Sequence, residues 1–226
     1  MRTRAVLFTT SLFLLSAAHA TAQESNWDTE VSVGIETGRQ FADQAYRLST
    51  DPAYTFDATA CTGTEERYTC FNVWHTDSIS MNREDRETDF TATHAFAAGS
   101  GELEFSGSYY EISGKDIWRG EVAYTLPITE ACESRFSAEV QRGGFETNTA
   151  RVGVSCEVSM SEDWSVDLGP TLVYDSSIRD MVLVGELGVT RSLGENLSVR
   201  FGVQGFASDG HRGAVGSIVL TRRFGD

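Results

Sequence analysis

Apolar and polar residues alternate along nearly the whole chain from Trp27 onward. Trp27, Thr29, Val31, Val33 and Ile35 interleave with Asp28, Glu30, Ser32, Gly34 and Glu36. A period of two puts one set on each face of a pleated strand. The same reading predicts strands at Tyr54–Cys61, Cys70–Ile79, Asp89–Ala97, Glu102–Glu111, Ile117–Leu126 and Arg135–Gly144. It continues through Thr149–Ser159, Trp164–Tyr174, Met181–Leu193, Leu197–Ala207 and Gly213–Phe224. The count is twelve strands, with ten as the alternative. Most are about ten residues long, the length a tilted strand needs to cross a bilayer. No segment carries a helical period and no linker divides the chain, so residues 23–226 read as a single domain. The expected fold is all-β: a transmembrane, antiparallel, up-and-down β-barrel with short turns.

Tight turns fall at alternate junctions, as at Ala98-Gly99-Ser100, Ser161-Glu162-Asp163 and Gly194-Glu195-Asn196. With both chain ends in the periplasm, these become periplasmic turns. The outward connections are then Arg39–Ala53, Ser80–Thr88, Ser113–Asp116, Glu146–Asn148, Asp175–Asp180 and Ser208–Arg212, of which only the first two are long. Pro170 interrupts one strand and removes a ladder donor, which predicts a local bulge.

The start of the chain follows a different rule. Arg2 and Arg4 precede a mostly apolar stretch, and Ala18-His19-Ala20 and Ala20-Thr21-Ala22 resemble cleavage sites. Residues 1–22 therefore read as a secretory signal peptide. They contain two of the 18 basic residues and none of the 33 acids, so the remainder carries 16 against 33, a formal −17. That balance argues against nucleic acid, whose phosphates require a basic surface. Export also permits disulfides.

Alternation alone does not say which face meets water. The polar face carries Asp28, Glu30, Glu36, Asp57, Asp89, Glu102, Glu104, Glu121, Glu139, Glu157, Asp167 and Glu186, with Arg119, Arg135, Arg151, Arg200 and Arg223. Twelve acids against five arginines suit a wet lumen. Aromatics gather toward strand ends (Trp27, Trp118, Trp164, Tyr109, Tyr124, Tyr174, Phe136, Phe224), as at a membrane–water boundary. The last strand closes on Phe224, of the kind barrel-assembly machinery reads, although Gly225 and Asp226 follow it. Outer-membrane lipid and that machinery are the expected partners; nothing in the chain sets an oligomeric state.

Cys61 and Cys70 flank a turn and share the inward parity, while Cys132 and Cys156 share the apolar one. The expected disulfides are Cys61–Cys70 and Cys132–Cys156. No Cys-x-x-Cys or nearby His suggests a metal, and no cofactor is implied. His75 and His94 take the lipid-facing parity and His211 falls in a turn, so no catalytic constellation assembles. Glu102 and Glu104 share a face, which paired-carboxylate chemistry would require, but lumen lining accounts for both.

Two segments resemble a known family. Val33–Tyr54 offers Arg39, Phe41, Leu48, Ser49, Pro52 and Ala53, and Phe71-Asn72-Val73-Trp74-His75-Thr76 offers an aromatic-x-V-W stretch. Both are similar to the TorF-type outer-membrane porins of proteobacteria. The turn between Cys61 and Cys70 departs from that pattern, as does Gln40-Ala42 around Phe41. The resemblance spans the first half of the mature chain and implies a porin-type barrel. Three readings follow: a porin for small solutes or cations, a plugged barrel with a structural or surface-interaction role, and a soluble periplasmic barrel holding an apolar ligand.

Overall fold

The computed structural model describes residues 27–37, 39–41, 47–49, 51–79, 86–112, 114–144, 146–209 and 211–225. The signal-peptide expectation lies outside them. β1 (Trp27–Glu36) leads to a small hairpin, β2 (Arg39–Phe41) and β3 (Arg47–Ser49). Eleven long strands follow: β4 (Ala53–Thr64), β5 (Arg67–Ser78), β6 (Glu87–Ala98), β7 (Gly101–Ile112), β8 (Lys115–Pro127) and β9 (Cys132–Gly143). The series ends with β10 (Thr147–Ser159), β11 (Trp164–Asp175), β12 (Asp180–Gly194), β13 (Leu197–Ser208) and β14 (His211–Phe224).

Each long strand pairs antiparallel with its sequence neighbours, and β1 joins both β4 and β14. The result is a closed barrel of twelve strands, and β2 and β3 form a separate two-stranded sheet. Closure leaves no unpaired edge, the condition under which strands can span lipid. The strands overrun their apolar cores because hairpin pairing continues to the turn. β4 runs through Gly63 and Thr64, and Gly63 is paired with Tyr68. Within Arg39–Ala53, expected as plain connection, Arg39–Phe41 and Arg47–Ser49 pair as β2 and β3, with Arg39 opposite Ser49.

Burial is inverted relative to a soluble protein. Val33 (43% exposed), Phe105 (46%), Leu187 (53%) and Ile218 (52%) stand on the outside, whereas Glu139 is 4% exposed inside. The register keeps each face continuous: Ile35 lies opposite Tyr54 on one side and Ile218 on the other, all outward. A soluble barrel would put these groups at its centre, so the apolar-ligand reading is overturned. His75 and His94 also face outward, bonded to Thr88 (2.8 Å) and Thr69 (2.9 Å) respectively. Phe136 departs from the strand-end expectation. It sits well inside β9, opposite Tyr124 and Val152.

Pro170 produces no bulge. β11 keeps one register against β10 from Thr149↔Asp175 to Ser159↔Ser165, and the ladder merely skips Val154 and Ser155 beside the proline. A missing donor needs only a gap, because the outward Pro170 continues to pair in register with Gly185 on β12. The register shift in the barrel instead falls in β12, between Ser192 and Gly194.

Both disulfides join the predicted partners. Cys61 and Cys70 are directly opposed on β4 and β5, and Cys132 and Cys156 on β9 and β10. They lie toward the end where β1 begins and β14 finishes, the first inside and the second outside. Here that end is called the terminal end and the opposite one the loop end.

Candidate functional site: the lumen

The inward face is organised around its arginines. Glu121 on β8 lies directly opposite Glu139 on β9, and like charges so placed repel. Arginines from neighbouring rows separate them. Arg151 approaches Glu139 at 2.7 Å and Glu121 at 3.8 Å. Arg119 comes within 3.4 Å of Glu139, and Arg135 joins Glu121 (3.3 Å) to Glu104 (2.6 Å). The series Glu104, Arg135, Glu121, Arg151, Glu139, Arg119 is an alternating ladder on the β7–β10 wall. Three carboxylates and three guanidiniums cancel.

A second group crosses β12. Arg200 on β13 donates to Asp167 on β11 through Nη2 (2.5 Å) and Nε (3.2 Å), and to Glu186 through Nη2 (2.6 Å). Such a fork matches the planar guanidinium to a carboxylate. It lies flat because the intervening positions are glycines. A Cβ on Gly188 would meet Asp167 Oδ1 at 2.4 Å and Arg200 Nη2 at 2.5 Å, and one on Gly202 would meet Arg200 Nη1 at 2.8 Å. At the terminal mouth, Arg223 donates to Glu30 at 2.7 Å.

The register places the remaining predicted residues on this same face. Asp57 accepts from Asn72 (3.0 and 3.1 Å) and from Thr59 (3.3 Å). Glu102 accepts from the Tyr68 hydroxyl at 2.8 Å, while its neighbour Glu104 is held by Arg135. The two carboxylates therefore serve separate contacts rather than a shared proton. Glu157, opposite Asp167, is exposed near the terminal mouth. Thus Glu30, Asp57, Glu102, Glu104, Arg119, Glu121, Glu139, Arg151, Glu157, Asp167, Glu186 and Arg200 share one wall surface, though in distinct groups. Six carboxylates (Glu30, Glu104, Glu121, Glu139, Asp167, Glu186) hold the five arginines. Asp28, Glu36, Asp57, Asp89, Glu102 and Glu157 face inward besides, and the register adds Glu87, Glu133, Asp175 and Asp180, which the sequence reading had not assigned to the lumen.

The alternation reading missed that the inward face turns apolar toward the loop end. Val173, Val182 and Phe206 form one buried cluster, and Tyr110, Ile112 and Ile117 another. The signal was present: Leu172-Val173-Tyr174 and Met181-Val182-Leu183-Val184 are apolar at both parities. It also missed Trp74, which pairs with Asp57 and Asp89 and therefore points inward. Its parity with Asn72 could have shown this. Trp74 lines a cavity of about 290 Å³ with Glu36, Glu186, Arg200, Gln204 and Ser217.

No family model matches the chain, and no curated protein matches it. Solved structures do. The KdgM porin superimposes with a TM-score of 0.57 at 9% identity, covering 85% of this chain and 98% of that one. The NanC porin gives 0.56 at 8% identity, covering 88% and 99%. The translocator domain of autotransporter NalP from Neisseria meningitidis gives 0.60 at 12% identity, covering 98% of each chain. The fold is that of outer-membrane barrels. Together with the outward apolar band, this is the architecture of a barrel that spans a membrane with its strands.

Proposed function

We propose that this barrel is a narrow outer-membrane porin that passes small solutes and prefers cations. The charge of the lumen carries the reading: five arginines, each engaged by carboxylate, are outnumbered by the acids of the inward face. Fixed negative charge in a low-dielectric passage concentrates cations and excludes anions. Twelve strands fall between filled eight-stranded and open sixteen-stranded barrels, so the passage is tight. The short-turn terminal end faces the periplasm in this reading. The TorF-type kinship argued from Val33–Tyr54 and Phe71–Thr76 belongs to the same proposal.

The KdgM porin has been solved in complex with oligogalacturonate. An acid-rich lumen opposes such a polyanion, so that cargo is not carried over. Purified barrel in planar bilayers under a potassium chloride gradient should give a reversal potential of cation-selective sign. Anion selectivity would overturn the proposal. A second reading, a plugged barrel, draws on the loop-end interior, where Ile117 and Val182 are 0% exposed. It predicts no conductance steps at all.

A further inference from the structure

We infer that a charge-poor collar near the loop end, built by Tyr110, Ile117, Val173, Val182 and Phe206, is the constriction of this barrel and favours weakly hydrated cations over strongly hydrated ones. The inference rests on the reading that solutes cross the lumen, and it names the residues that set the cut-off.

The collar follows from where the strands end. Tyr110 lies two residues before the end of β7, Val173 two before the end of β11 and Phe206 two before the end of β13. Ile117 and Val182 lie two residues after the starts of β8 and β12. All five therefore face inward at one depth, counted along the strands from the loop end. The register agrees, with Tyr110 directly opposite Ile117 and Val173 directly opposite Val182. The two groups face each other across the bore. β9 and β10 separate them on one side, and β6, β5, β4, β1 and β14 on the other. At the same depth the remaining strands present threonine, glutamine or glycine, and Asp89 on β6 is the one charged residue. Charge returns two residues deeper, with Arg119, Glu139 and Arg151.

Burial marks the same level. The five collar side chains are buried, Ile117 and Val182 completely, whereas Arg223 and Glu30 at the terminal mouth are exposed. The lumen is thus wet at one end and closely lined at the other. An ion crossing the collar gives up water and finds little charge in exchange. That penalty falls as the radius of the ion grows, and an apolar constriction bars passage further by dewetting. Caesium therefore crosses more readily than lithium, beyond what their mobilities in water explain. The lumen acids still decide the sign of the ion, because they lie on both sides of the collar.

The test reads reversal potentials in planar bilayers with caesium chloride on one side and lithium chloride on the other. Wild type should give a caesium-to-lithium permeability ratio roughly threefold or more above the ratio of their mobilities. V173T/V182T, which keeps the shape of valine and adds two hydroxyls, should bring that ratio close to the mobility ratio without reversing the cation preference. I117A/V182A widens the collar and should raise single-channel conductance about twofold or more; it also serves if the threonine variant fails to fold. A wild-type ratio equal to that of the mobilities overturns the inference, as do two variants that behave like wild type. Either result, obtained with current flowing, removes the collar alone. No current through wild type but current through I117A/V182A removes the porin reading and leaves the collar as the point of closure. No current through either removes both.

Discussion

At the scale of single residues, the lumen depends as much on absent side chains as on charged ones. Gly188 is the clearest case, since the Arg200–Asp167 pair occupies the space its Cβ would take. The obstructing atoms are the ends of flexible side chains, so G188A should fold, with a stability change of about 1 kcal/mol or less. The displaced guanidinium must swing toward the axis. We expect G188A to lower single-channel conductance while leaving the urea unfolding midpoint nearly unchanged; equal conductance would show that Arg200 does not border the path. Trp74 teaches a related lesson. Its parity was readable from the chain, but its meeting with Glu36 and Glu186 depends on closure of the barrel.

At the scale of elements, adjacent positions on one strand face opposite solvents. Phe105 on β7 faces outward between His94 and Val122, while Ser106 faces inward opposite Glu121. F105R should cost roughly 2–4 kcal/mol if it lies near mid-bilayer. S106R should cost less, because its guanidinium gains a carboxylate partner. Urea titrations of folding into lipid vesicles would compare them, and equal costs would contradict the assignment of faces. The disulfides are also features of paired elements. Each closes a cross-strand pair, with sequence separations of 9 and 24 residues. In the chain-entropy account each contributes about 2–4 kcal/mol, and the longer loop about 0.9 kcal/mol more than the shorter. The double variant C132S/C156S should therefore unfold at lower urea than C61S/C70S, and both below wild type.

At the scale of the whole molecule, closure makes the barrel a unit that resists detergent until heated. Unheated protein should migrate differently from boiled protein on a gel, and extraction should require detergent. Release with periplasmic contents would contradict the outward apolar face. Charge acts at this scale as well. The screening length falls from about 30 Å at 0.01 M salt to about 3 Å at 1 M. A preference that arises from the summed lumen field should therefore shrink steeply over that range. A selectivity that does not vary with salt would point to a local filter in place of the distributed acid excess.

The choice of twelve strands over ten came with closure, while the strand positions, the parity that groups the cysteines into two pairs and the separation of residues into two faces are legible in the sequence. Each is a local consequence of a two-residue period, and a period survives whatever the strands later join. Which face holds water does not follow, because Val33 and Glu30 alternate identically in a soluble barrel and a membrane one. Tertiary structure decided it by closing β1 onto β14 with the valines outside. It also decided that Glu121 and Glu139 lie opposite each other, that Arg200 reaches across β12 to Asp167, and that the inward face becomes apolar toward the loop end. These contacts join residues on different strands, and their partners depend on register and tilt, which no single strand encodes.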